Sequence, residues 1–254
     1  MSQQNTSFSD EFELDSPELT GLITYPHFTK AAYSQRIDEM RSLGINSLII
    51  GDGNSTINGF SICGKGCVGL VFRARTSDGI VALKIRRTDA DRASMEQESR
   101  LHQIANGAGV GPTYLGHSSN LIVMEFIAGS SIIDWIRTAT RAQFQEVARS
   151  VLEQCYMLDK AGLDHGELSR LGRHVIVSHQ GSPCIVDFES ASTARRTVNV
   201  SSAAQSLFLY GSVAAQTSKI RPQVDLEIAI LAIRKYKKQR SRESFDELVR
   251  TLAI

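Results

Sequence analysis

Ile62-Cys63-Gly64-Lys65-Gly66-Cys67-Val68-Gly69-Leu70-Val71, followed by Val81-Ala82-Leu83-Lys84, decides how the chain is read. The pattern is a strand, a glycine turn, a strand, and then a strand carrying a lysine. Backbone N–H groups come close to anionic oxygens where no Cβ stands in the way, so Gly64, Gly66 and Gly69 point to phosphate. Lys84 is then available to pair with those phosphates as a point charge. The Gly-x-Gly-x-x-Gly spacing is weak by itself. The residues after the third glycine decide between folds. A dinucleotide-binding fold needs a helix straight after the glycines and an acid near the end of the next strand. Here Leu70-Val71-Phe72-Arg73-Ala74 continues as strand, Ser77-Asp78-Gly79 turns, and Ile80 to Ile85 makes a second strand.

The totals bound the class. A chain of 254 residues holds one large domain or two small lobes. Apolar residues at 42% and charged residues at 22% are ordinary for a globular protein, and a net charge of +1 sets up no field towards nucleic acid or membrane. Cys63 and Cys67 flank the glycine turn, but Cys155 and Cys184 do not form a second close pair, so neither zinc nor a disulfide framework is expected. Reduced thiols and a cytoplasmic location are the expectation. No secretory leader is recognised, and no apolar run approaches the roughly 18 residues of a membrane span.

Residues 1–18 are polar and acidic and are expected to form a disordered tail. Apolar positions from Phe28 to Leu43 recur at helical spacing until Gly44. A strand at 45–50 and a turn at 51–54 follow. Residues 19–58 are too short to fold alone and are expected to pack as an extension on the glycine-loop lobe. A helix over 89–106 carries Glu96 and Glu98 and stops at Gly107 and Gly109. Strands at 112–116 and 120–126 lead to a break at Ile127-Ala128-Gly129, where backbone groups of Glu125 to Ile127 could face an adenine. Helices are expected over 131–138 and 141–161, the second with a core face of Phe144, Val147, Ala148, Val151, Leu152, Cys155, Met157 and Leu158.

The acids that suit catalysis come next. His165-Gly166-Glu167 precedes the β-rich run Val175 to Ser178, and Pro183 to Val186 leads into Asp187-Phe188-Glu189. Two strands joined by Gln180-Gly181-Ser182 would set a hydroxyl-activating carboxylate and a metal-binding carboxylate on adjacent strand ends, as phosphoryl transfer requires. Beyond them, residues 199–211 read as a central helix and Pro222 opens another. Arg234 to Arg242 carries six basic residues in nine. A solvated helix end is the simpler reading of that run, with RNA or ribosome contact as its rival.

With these residues in hand, the chain resembles the protein kinase superfamily, and within it the small RIO-like and archaeal predicted serine/threonine kinases. The resemblance implies an α+β, two-lobed fold, with a β-rich N-lobe over 59–127 and a reduced, mainly helical C-lobe over 128–254. It implies that ATP is bound by Gly64, Lys65, Gly66, Gly69, Val71, Ala82, Lys84 and Glu98, the last paired with Lys84, and by Met124, Glu125, Phe126 and Ile127 as the hinge. Glu167, Lys84 and Asp187 would be catalytic, and Asp187 would hold Mg²⁺ or Mn²⁺, either with His174 as a further ligand, or alone, with His174 on the phosphates or uninvolved. The substrate would be an unidentified protein, and no membrane is involved. The chain departs from the pattern in three places. Glu167 stands where an aspartate is usual, Gly172 where an asparagine is usual, and Glu189 where a glycine is usual. Asp164 is the alternative base. These departures leave a nucleotide-binding pseudokinase, acting as a switch or scaffold, and a small-molecule kinase as alternatives.

Overall fold

The computed structural model describes residues 9–51, 53, 55–221 and 223–254. The first eight residues of the expected tail, Asp52 and Asn54 of the expected turn, and Pro222 lie outside the described residues. The chain forms two compact units, one of residues up to Arg100 with Thr113–Phe126, the other of Leu101–Pro112 with Ile127–Ile254.

The first unit contains β1 (Asp10–Glu13), α1 (Thr20–Ile23), α2 (Lys30–Ser42), β2 (Ser47–Ile50), β3 (Ser55–Ile57), β4 (Phe60–Ile62), β5 (Gly64–Lys65), β6 (Gly69–Thr76) and β7 (Gly79–Arg86). The start of α3 (Glu96–Gly107), β8 (Tyr114–His117) and β9 (Leu121–Glu125) complete it. An antiparallel sheet runs β1-β2-β6-β7-β9-β8, with β5 paired to β6. Alternation along the strands sends Leu70, Phe72, Leu83, Ile85, Leu121 and Val123 into one core, closed by Leu19, Leu22, Ile23, Ile37 and Met40 of the N-terminal helices.

Two expectations need correction here. Residues 10–13 are strand, not disordered tail. The backbone pairs with β2, and Glu11 takes two hydrogen bonds from Arg75, at 2.6 and 2.8 Å, and one from Ser47. Those bonds, Arg75's first, pull the Glu11 carboxyl down to about 2. The helix expected from residue 89 begins only at Glu96. Residues 87–95 are held in irregular form by two side chains and a backbone bond: Arg87 grips Asp89 twice, Arg86 donates to Arg92 O, and the Met95 backbone N–H donates to Ser119 O.

The second unit contains β10 (Gly129–Ser131), α4 (Ile132–Trp135), α5 (Arg141–Lys160), β11 (Val175–Ser178), β12 (Pro183–Ile185), α6 (Asn199–Phe208), α7 (Gly211–Thr217), α8 (Leu226–Gln239) and α9 (Arg242–Thr251). α5 starts with a capping box between Thr140 and Gln143 and buries the face read from its sequence except Met157, which stands two residues past Cys155, on the far side of a 3.6-residue turn, and is exposed. The helix expected over 199–211 ends at Phe208, and α7 follows it. α8 is capped by Asp225, whose carboxylate accepts from the N–H groups of Glu227 and Ile228. In the basic run, Lys235 pairs with Glu247, Arg240 donates to Thr197 O, and Arg242 pairs with Glu153 and Asp246. These side chains hold the fold together, so the run carries no argument for nucleic acid. No described helix is long and apolar enough to cross a membrane.

Glu11→Ala should speed amide hydrogen exchange across residues 10–13 while costing less than about 1 kcal/mol of global stability, because the ion pair is exposed. Exchange unchanged from wild type would show that backbone pairing alone holds the strand.

Candidate active site

On the sheet of the first unit, β7 lies between β6 and β9, with Lys84 opposite Val71 and Ile122, and Ala82 opposite Arg73 and Met124. Opposed residues share a face, so Val71, Ala82, Lys84 and Met124 lie together on the face turned away from the Leu83 core. Lys84 Nζ is 2.6 Å from Glu98 Oε1, and each side chain is 5% exposed. Glu96, the other acid of that helix turn, is exposed. Gly69 leaves room for the Lys84 stem: a Cβ there would meet Cγ and Cε of Lys84 at 3.0 Å and Ile85 O at 3.1 Å. Gly64, by contrast, has room for a side chain, its nearest neighbour being Val71 at 3.8 Å. Lys65 donates to Tyr25 Oη at 3.0 Å. Of the expected hinge, Glu125 N–H already donates to Thr113 O and its carboxylate accepts from Thr113. Phe126 lies under the Arg73 guanidinium, and Ile127 opens the second unit.

In the second unit the structure brings Glu167, His174 and Asp187 together. The loop bearing Glu167 is pinned by a bridge between Asp164 and Ser192. Gly166 adopts φ +89°, and a Cβ there would strike Arg195 and Ser190 O. A short 3-10 stretch, Leu168–Arg173, then delivers His174 to the start of β11. The buried imidazole sits between two acids. Nε2 is 2.8 Å from Glu167 Oε2, close but not aligned as a hydrogen bond, and Nδ1 is 3.8 Å from Asp187 Oδ2. Ser190 Oγ donates to the other Glu167 oxygen at 3.1 Å. Asp187 has φ +70°, a left-handed conformation that is uncommon for a non-glycine residue.

A stack of rings backs the cluster. Phe188 packs between His102, 5.3 Å away centroid to centroid, and His165, at 5.4 Å. His102 Nε2 contacts Pro112 O, and His165 Nε2 donates to Val186 O at 3.0 Å. Burial, helped by the neighbouring His174, pushes the His165 imidazole down to about 4, so it is neutral at pH 7. Asp164, the alternative base, is committed elsewhere: it is buried and accepts from Val198 N–H and Arg195. Gly172 is tightly packed: a Cβ there would meet the Val213 methyl at 3.2 Å, so an asparagine would need Val213 to shift. Glu189 is half-buried beside the cluster.

A family model described as the RIO domain matches residues 71–199, just over half of the chain. The chain belongs to the RIO family. That is a family of atypical serine kinases, which places the chain among kinases at family level. The RIO match takes in Lys84, Glu98, Glu167, His174 and Asp187, and begins after the glycine turn. No curated protein matches the chain.

Among the described residues no three His, Cys, Asp or Glu side chains stand close enough to hold a metal unaided. A divalent ion in a RIO domain would therefore need ligands from elsewhere. That suits magnesium, which is commonly held by one or two carboxylates plus substrate phosphates. His174 Nδ1 and Asp187 Oδ2, at 3.8 Å, are too far apart for a hydrogen bond. The Asp187 carboxylate is a donor of the kind magnesium takes, whereas the His174 imidazole suits softer transition metals better.

Ser190 and Arg195 were not singled out from the sequence. Ser190 adjoins the Asp187-Phe188-Glu189 motif, and that adjacency could have marked it. Arg195 pairs across 31 residues with Asp164, and no local pattern announces it.

His165 gives a pH dependence. Its folded pKa lies below the unfolded value of 6.5, so the unfolded chain binds more protons between about 4 and 6.5. Stability from this group is full above 6.5 and is lost as pH falls through that window, on the order of 3 kcal/mol. Thermal unfolding from pH 7.5 to 4 should be flatter in His165→Asn than in wild type; equal slopes would remove His165 from the account.

Proposed function

We propose that the chain is an ATP-dependent serine/threonine protein kinase that works with a divalent metal, Mg²⁺ or Mn²⁺. The observation that carries this reading is the buried His174 imidazole set between Glu167 and Asp187. In this reading the first unit is the N-lobe, with residues 19–58 as its extension, and the second is the reduced C-lobe. Gly64, Gly66 and Gly69 admit phosphate oxygens to the hairpin backbone. Lys84, held by Glu98, pairs with the phosphates, while Val71, Ala82 and Met124 supply the apolar face on which a base can lie. Phe126 and Ile127 keep the hinge role.

Glu167 orients the substrate hydroxyl and accepts its proton as the oxygen attacks the γ-phosphorus. It is one methylene longer than the usual aspartate, a difference of about 1 Å, enough to weaken catalysis if the acid were mobile. Ser190 holds one of its oxygens by a hydrogen bond and His174 Nε2 lies 2.8 Å from the other, which supports a fixed position. A carboxylate offers about four lone-pair sites, so both contacts leave room for the hydroxyl. Asp187, with His174, would hold the metal, whose charge would offset that of the phosphates. The protein substrate is a serine- or threonine-bearing chain.

The test is transfer from radiolabelled ATP to a serine-containing acceptor with Mg²⁺ or Mn²⁺. Glu167→Gln should bind ATP within twofold of wild type and cut transfer by about 100-fold or more. His174→Asn should shift the metal preference towards Mg²⁺, because imidazole suits transition metals better. Wild type that binds ATP but transfers nothing with either metal would replace this reading with a pseudokinase.

A further inference from the structure

The glycine hairpin has few backbone bonds. β5 contributes two registered pairs, Gly64 with Val71 and Lys65 with Leu70. Beyond it, Gly66 N–H donates to Gly69 O at 2.8 Å, and Val68 O accepts from Arg87 N–H at 2.7 Å. Lys65 and Cys67 are exposed. A segment with so little backbone support opens readily unless side chains hold it.

Side chains do hold it, from a segment that precedes the RIO match. Thr24 to His27 lies along Thr88. Thr88 N–H donates to Tyr25 O at 2.9 Å, Thr88 Oγ1 donates to Thr24 O at 3.3 Å, and His27 N–H donates to Thr88 Oγ1 at 3.0 Å. Just before it, Leu22 and Ile23 are buried in the sheet's core. Tyr25 is therefore mounted on the sheet independently of the hairpin. Its side chain reaches across to it. Lys65 Nζ donates to Tyr25 Oη at 3.0 Å and lies 4.9 Å from the ring centroid, and the Arg87 guanidinium lies 5.3 Å from the same centroid. Arg87 donates to Gly66 O at 3.1 Å, while Asp89 fixes its orientation through bonds of 2.9 and 2.7 Å.

We propose that Tyr25 is the positioning residue of the phosphate-binding hairpin. Its electron-rich ring draws two cations that would otherwise repel each other. Its hydroxyl fixes Lys65, and Arg87 carries the restraint to the Gly66 carbonyl at the turn. Lys65 uses one of three ammonium donors on Tyr25 and keeps two for a phosphate. The nucleotide as ligand rests on the kinase reading above; the clamp itself does not.

The full chain is examined without nucleotide by amide hydrogen exchange, and with Mg²⁺ and ATP by direct titration and turnover, for wild type, Tyr25→Phe and Tyr25→Ala. Tyr25→Ala should speed exchange across residues 64–68 by about five- to tenfold and weaken ATP binding by about three- to tenfold, the loss of one or two modest polar contacts. Turnover at saturating ATP should stay within twofold. Tyr25→Phe keeps the ring and should fall between the two. Unchanged exchange over 64–68 in Tyr25→Ala overturns the proposal. So does acceleration spread equally over β6 and β7, which would make Tyr25 a general stabiliser. Wild type that binds no ATP defeats the kinase reading, and the exchange measurement still decides the clamp.

Discussion

Lys84 and Glu98 meet 2.6 Å apart with each side chain 5% exposed, and the first unit is arranged around that contact. Taking two charges out of water costs several kcal/mol per ion, and mutual attraction offsets the loss only with close geometry and further polar partners. Several features supply it. β7 is flanked by β6 and β9, so Lys84 is fixed on the face opposite Leu83 and Ile85. Glu98 lies in the first turn of α3, where the helix dipole favours a carboxylate. Arg92 stands 3.9 Å from its second oxygen. Gly69 provides the space in which the Lys84 stem lies. A buried pair of this kind adds little net stability over apolar packing. Its effect is to hold an ammonium at one point of the sheet.

The second unit applies the same economy to a different trio. His174 is buried between Glu167 and Asp187, 2.8 Å from the one and 3.8 Å from the other. Asp187 holds φ +70°, a strain of about 1–3 kcal/mol that persists only where its surroundings enforce it. Phe188, packed between His102 and His165, does so from one side, and Val186, whose N–H and C=O bond to His174 O and His165, from the other. The neutrality of His165 matters here, since a positive charge buried against Phe188 and His174 would disturb the cluster.

The sequence announced the features that depend on short-range pattern. Alternation in Leu70 to Ala74 and Ile80 to Ile85 gave the central hairpin, and helical spacing gave α5 with its buried face. The choice of Glu98 over Glu96 came from the resemblance, and the structure pairs Glu98 with Lys84; the strands beside Glu167 and Asp187 were legible in Val175 to Ser178 and Pro183 to Val186. The features that were not legible depend on partners far along the chain. The strand at Asp10–Glu13 exists because Arg75 and Ser47 meet Glu11, and its acidic composition reads as a tail. The late start of α3 comes from the grip of Arg86 and Arg87 on the chain ahead of it. Asp164 looked like a spare base until Arg195 and Val198 were seen to occupy it.

The central claim is that Lys84 and Glu98 act as one unit in holding nucleotide phosphate. A double-mutant cycle with Lys84→Met, Glu98→Gln and the pair, read by ATP affinity in the presence of Mg²⁺, tests it directly. The account predicts that each single change weakens ATP by about tenfold or more and that the double change weakens it little further, a coupling of at least about 1.4 kcal/mol. Glu98→Gln that binds ATP as wild type does, or losses that simply add, would contradict it.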